Sequence, residues 1–226
     1  MTRTHSAPRH RRPIMQIAII GAGNVGRALA TASVRAGHAV TLTSAIPSEA
    51  ERVAAEVGAG AARSNGEAVA DAEIVILAVP FDAVQAIVSE LGAALDGKVV
   101  IDVTNRFAPE QLDGPSNAEL TQGMAPNAKV VKAINTILAA HQSDPRVVAI
   151  PLDGFVAGDD HRAKRTVLAL VDSLGFRPID AGPLARARAL EGMALLNINL
   201  NMRDGWSWQS GWKLLGPTGT GIGVGG

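Results

Sequence analysis

A doubly wound, mostly parallel α/β sheet is the fold class this chain predicts, and three observations carry it. The segment GAGNVG at 21–26 stands between an apolar run that ends at Ile20 and a stretch that reads as a helix. Short apolar runs then alternate with longer segments of helical periodicity, the pattern of strand–helix–strand units. One run, at 74–79, is continuously apolar, as a central strand covered on both faces must be.

Residues 15–20 read as the first strand. The glycines after it have separate physical duties: Gly21 permits the tight turn, Gly23 lets backbone approach a pyrophosphate, and Gly26 lets helix pack on strand. The loop residues Ala22, Asn24 and Val25 complete a dinucleotide site in which the anion rests on N–H groups at the positive end of the helix. That helix runs over 24–36 and stops at Gly37, a residue suited to the position past a helix end. Residues 39–43 form the second strand.

An NAD site carries Asp or Glu near the end of that strand to hold the ribose 2′-hydroxyl. Here the first carboxylate is Glu49, while Ser44 and Ser48 offer hydroxyls to a 2′-phosphate. This favours NADP. The loop lacks an arginine, Ala45 standing where one would be expected; Arg52 or Arg63 either reaches the phosphate instead or is an ordinary solvated charge.

Further along, Asp82 is placed to cap a helix with Val84, Ile87, Val88, Leu91 and Leu95 on one face. A strand at 98–103 leads to a loop at 106–115. Ser116 and Glu119 form a capping box, and 129–134 is another strand. After about residue 150 come a short strand at 154–158, a helix capped by Asp159 or Asp160 that reaches 174, a last strand at 177–180, and a long helical pattern over 184–203. The domain reading is a disordered basic leader (1–14), a dinucleotide-binding domain (15–150), a small C-terminal part for substrate or dimer contacts (151–205), and a Trp/Gly-rich tail (206–226).

Composition narrows the function classes. The chain has 226 residues, 47% of them hydrophobic, enough for a sizeable core. It contains no cysteine, which excludes thiolate chemistry and disulfides and points to the cytoplasm. No apolar run approaches a membrane span. The net charge is zero, but Arg3, Arg9, Arg11 and Arg12 all lie in the first fourteen residues. The remainder is therefore about −4 and has no basic face for nucleic acid.

Several segments together resemble the NADPH-dependent F420 reductase family: GAGNVG at 21–26, LAVP at 77–80, VVKAINT at 130–136, FVAGDD at 155–160 and DAGPLARARALE at 180–191. VVKAINT is also similar to the oxidoreductase domain of the STEAP ferric reductases. The resemblance implies a Rossmann-type domain with a small C-terminal α/β extension, working as a homodimer that moves hydride between NADP and coenzyme F420. It implies that residues 22–25 hold the pyrophosphate and that Ser44 faces the adenosine 2′-phosphate. Leu77, Val79 and Pro80 would flank the nicotinamide, with Val103, Asn105, Ala133 and Asn135 beside them. The family commonly has arginine where this chain has Ala45.

Direct hydride transfer between stacked rings needs proximity and a dry pocket more than acid–base groups. Accordingly no catalytic side chain and no metal ligand is assigned. The sequence has no HExxH motif, and without tyrosine it cannot carry a Tyr-x-x-x-Lys pair. Asp102 reads as a satisfied strand residue, His141 as a loop residue or one lining the pocket, and Trp206, Trp208 and Trp212 as packing or interface, or else an aromatic wall against a flat deazaflavin. Arg186 and Arg188 either meet the anionic tail of F420 or are solvated. Alternative functions are reduction of a flavin, imine or ketone by NAD(P)H, and non-catalytic dinucleotide sensing.

Overall fold

The computed structural model describes residues 13–107, 114–147 and 149–215; the leader to residue 12 and the tail from 216 lie outside them. The chain begins with β1 (Gln16–Ile20), α1 (Asn24–Arg35), β2 (Ala39–Thr43), α2 (Pro47–Val57), β3 (Gly60–Ala61), α3 (Asn65–Val69) and β4 (Ile74–Leu77). There follow α4 (Phe81–Leu91), β5 (Val99–Asp102), α5 (Asn117–Met124), β6 (Lys129–Ala133), α6 (Ala139–Gln142) and a small hairpin of β7 (Arg146–Val147) and β8 (Ile150–Pro151). The last elements are β9 (Asp153–Gly158), α7 (His161–Ser173), β10 (Arg177–Gly182) and α8 (Ala187–Asp204).

Eight strands form one sheet in the order β10-β9-β6-β5-β4-β1-β2-β3. Every pairing is parallel except β6 with β9. Strands β9 and β10, from the C-terminal part, extend the same sheet. The period-2 alternation of β1 divides the core into two layers, as double winding requires. Ile17 and Ile19 pack with Leu29, Leu42 and Val53, while Ala18 and Ile20 face Val84, Val88 and Leu91. Burial of each large aliphatic side chain stabilises the fold by roughly 1.5–3 kcal/mol.

The structure corrects several element boundaries. The continuous apolar run beginning at Ile74 stops being strand at Leu77, although the Ala78 N–H still donates to the Ile20 carbonyl of β1 at 2.8 Å. Asp82 does not cap α4; the helix starts at Phe81 with Pro80 as its N-cap residue, so Asp82 lies in the first turn. There its charge still complements the helix dipole. Asp160 does cap α7, accepting from the Ala163 N–H at 2.8 Å. The long pattern from Leu184 begins as a 3-10 turn (Leu184–Arg186), and α8 ends at Gly205, whose φ of +62° suits a left-handed cap.

Candidate nucleotide-binding cleft

The order of strands reverses between β1 and β4, so the loops that follow them diverge to opposite faces. Ligands of open α/β sheets bind in the crevice that this reversal creates. Gly21, Ala22 and Gly26 are buried there, whereas Gly23 and Asn24 are exposed and Val25 is half-buried. Gly21 has φ +114°, and a Cβ on it would lie 2.2 Å from the Ala78 carbonyl oxygen. A Cβ on Gly26 would lie 1.8 Å from the Gly21 carbonyl oxygen. Gly23 differs from both, with nothing within 4 Å of its Cβ position.

Gly23 is also the N-cap residue of α1, with no side-chain cap, and the first bond into the helix runs from the Arg27 N–H to the Gly23 carbonyl at 2.9 Å. The N–H groups of Asn24, Val25 and Gly26 therefore have no intrahelical acceptor. This open backbone cradle at a helix N-terminus has the donor set a diphosphate needs.

The remaining sequence-predicted residues lie along the C-terminal edge of the sheet. Ser44 follows β2, and its Oγ accepts from the Ile46 N–H at 3.2 Å, which leaves the hydroxyl hydrogen to donate outward. Ser48 is exposed in the first turn of α2. Past β4, Val79 is half-buried and Pro80 exposed, but the Leu77 side chain is wholly buried within the core. At the ends of β5 and β6, Val103 and Ala133 are buried. Asn105 and Asn135 join the two ends: Asn105 Nδ2 donates to the Asn135 carbonyl at 3.0 Å, and Asn135 Nδ2 donates to Asn105 Oδ1 at 2.9 Å. From β2 to β6 the edge spans four strand spacings, about 19 Å.

The end of β6 carries a feature that the motif did not disclose. Ile134 is buried with φ +65°, a left-handed conformation that costs a β-branched residue on the order of 1–3 kcal/mol. It turns the chain so that Asn135 and Thr136 follow in the buried edge. Among the described residues, Asn135 Oδ1 and Thr136 Oγ1 are buried without a hydrogen-bond partner. Thr136 was not among the sequence candidates; its only signal was membership of VVKAINT.

Behind this edge lies a buried ionic cluster. Lys132 Nζ donates to Asp102 Oδ1 at 3.1 Å, Glu191 Oε1 at 2.8 Å and the Thr104 carbonyl at 2.5 Å. Arg106 Nε meets Glu191 Oε2 at 2.8 Å. Asp102 also accepts from the Thr104 N–H and from the Thr104 and Thr121 hydroxyls. Asp102 is thus the satisfied strand residue that its position suggested. The cluster pairs two cations with two carboxylates and ties α8 to β5 and β6.

His141 is buried in α6, its Nε2 at 2.8 Å from the Gln209 carbonyl, so it anchors the C-terminal segment. Trp206 and Trp208 are each 45% exposed, whereas Trp212 is half-buried and its carbonyl accepts from the Asp153 N–H. Arg188 is engaged with Glu119, donating from Nε at 2.8 Å and Nη2 at 2.7 Å. That pairing holds the Glu119 carboxyl at a pKa of about 2, against a burial effect that raises it, with the Ser116 bonds of the capping box lowering it further. Arg186 is exposed.

Comparisons with known proteins agree with this architecture. Residues 16–106 match the family model described as NADP oxidoreductase, coenzyme F420-dependent. The F420-dependent NADP reductase of Methanothermobacter thermautotrophicus is 30% identical over 217 residues, covering 84% of this chain and 91% of that protein. Metalloreductase STEAP3 of Rattus norvegicus is 34% identical over 186 residues, covering 80% of this chain; the chain spans only 36% of that relative's length. A crystal structure from Arthrobacter sp. FB24, of a protein assigned as an F420-dependent NADP-reductase, superposes with a TM-score of 0.75 at 31% identity. It covers 84% of this chain and 95% of the other. The glycine cradle at the sheet reversal, the strand order and the likeness to the Methanothermobacter reductase along most of both chains lead to one conclusion: this chain belongs to the coenzyme F420-dependent NADP oxidoreductase family.

Proposed function

We propose that this protein transfers hydride between NADPH and the deazaflavin coenzyme F420, acting as a cytoplasmic homodimer. The observation that carries the nucleotide half is the cradle at Gly23, open where its two neighbouring glycines are closed. Bound NADPH supplies the hydride from its nicotinamide ring. The chain binds, orients and excludes water. The N–H groups from Asn24 to Gly26 hold the diphosphate, and the hydroxyls of Ser44 and Ser48 take the adenosine 2′-phosphate. Val79, Pro80, Val103, Asn105, Ala133 and Asn135 flank the nicotinamide, while Leu77 supports them from the core.

No side chain is assigned a proton-transfer role. Asp102, Lys132, Glu191 and Arg106 are each held by the others, and ring-to-ring hydride transfer needs none of them. For the dimer, the outer face of α8 exposes Leu196 and Met202 beside a shallow cleft of about 420 Å³, an apolar surface of the kind buried between subunits.

The test is the absorbance of oxidised F420 on addition of NADPH and protein. Loss of that band supports the assignment. Its persistence at concentrations where NADPH binds overturns it, and oxidation of NADPH by a flavin, imine or ketone instead would identify another acceptor.

A further inference from the structure

The loop after β2 presents an electrostatic deficit. A 2′-phosphate beside Ser44 would find Ala45, Ile46, Pro47 and Ser48 next in the chain, none of them a cation, and then the carboxylate of Glu49. The sheet supplies a cation from the neighbouring strand. Strand β3 lies parallel to β2 with Leu42 opposite Ala61, and the Ala62 N–H continues the ladder to the Leu42 carbonyl at 2.8 Å. Ser44 is the first residue after β2 and Arg63 the second after β3, so both leave the same end of two adjacent parallel strands.

Two further observations separate Arg63 from other cations near this end. Among the described residues β3 is the sheet edge, and the Arg63 side chain beyond its end is 87% exposed. Its guanidinium has only a loose partner, Nε lying 4.0 Å from Glu67 Oε2. That oxygen already accepts from the Arg63 backbone N–H at 2.9 Å. In contrast, Arg27 and Arg52 converge on the two oxygens of Glu56, at 3.2 and 3.4 Å.

Resting on the NADPH reading above, we propose that Arg63 is the specificity-determining cation for the 2′-phosphate, doing from the end of β3 what an arginine at position 45 would do from the end of β2. Arg63 contributes charge-assisted donors and Ser44 a hydroxyl donor. Because Arg63 is solvent-exposed, its contribution weakens with salt.

Calorimetric titration with adenosine 2′,5′-bisphosphate and with 5′-AMP reads this directly, without turnover. The wild type is expected to bind the bisphosphate more tightly. Arg63→Gln should lower bisphosphate affinity about tenfold, equivalent to about 1.4 kcal/mol, and leave 5′-AMP affinity unchanged. Arg63→Lys should recover part of the loss, and Arg52→Gln should change neither value. An unchanged preference in Arg63→Gln, or a preference lost in Arg52→Gln instead, overturns the assignment while leaving NADPH selectivity intact. A wild type that does not distinguish the two nucleotides overturns the NADPH reading itself.

Discussion

Gly23 and Gly26 are three residues apart, yet substitution should separate binding from folding. Alanine at 23 meets no atom within 4 Å but fills the space a diphosphate would occupy. Gly23→Ala should therefore unfold within about 2 °C of the wild type and lose about tenfold or more in NADPH affinity. Alanine at 26 would overlap the Gly21 carbonyl, so Gly26→Ala should lower stability by roughly 1–3 kcal/mol or more, read in a denaturant titration. Equal loss of stability in both variants would contradict these roles. Thr136 gives a test of opposite sign. Its buried hydroxyl has no partner, so Thr136→Val should raise the melting temperature of the nucleotide-free protein by about 2–4 °C. If that hydroxyl serves the nicotinamide end, the same variant weakens NADPH binding while leaving adenosine 2′,5′-bisphosphate unaffected.

At the scale of elements, the contacts of α8 decide how the sheet edge is held. Lys132, Asp102 and Glu191 are wholly buried, and removing one member leaves the others uncompensated. Lys132→Met should cost about 3–5 kcal/mol, measured by urea unfolding; a loss below about 1 kcal/mol would show that the cluster does not hold α8. The Glu119–Arg188 pair links α5 to α8 in a pH-dependent way. With a folded pKa of about 2 against a usual 4.5, Glu119 stabilises the fold fully above the higher value. That contribution is lost as pH falls toward about 2. The stability gap between wild type and Arg188→Gln should thus be largest near neutrality and close below pH 4.5; a gap independent of pH would contradict the pairing.

Legibility differed between these elements for physical reasons. The Ser116 and Glu119 capping box was readable because both partners lie within four residues, and the structure forms both of its bonds. The ionic cluster was not readable, since Lys132 and Glu191 are 59 residues apart in sequence and only the sheet brings them together. Strand β3 and helix α3 were not readable because they have two and five residues, too few for a period to show, whereas α2, with eleven, was long enough and was missed. Pro47 at the start of α2 and Gly58 at its end were signals that stood in the sequence.

At the scale of the whole molecule, the doubly wound sheet was legible because glycine spacing and apolar runs report on it independently. The antiparallel junction of β6 with β9 was not, because pairing direction leaves no mark on a short buried strand. The edge running from Ser44 through Gly23 to Asn135 follows from strand order, which brings dispersed residues to one end of the sheet. The most direct measurement of this account is calorimetric titration of the folded, nucleotide-free protein with NADPH. Saturable uptake of one nucleotide per chain is the result it predicts; a folded chain that takes up none would contradict it.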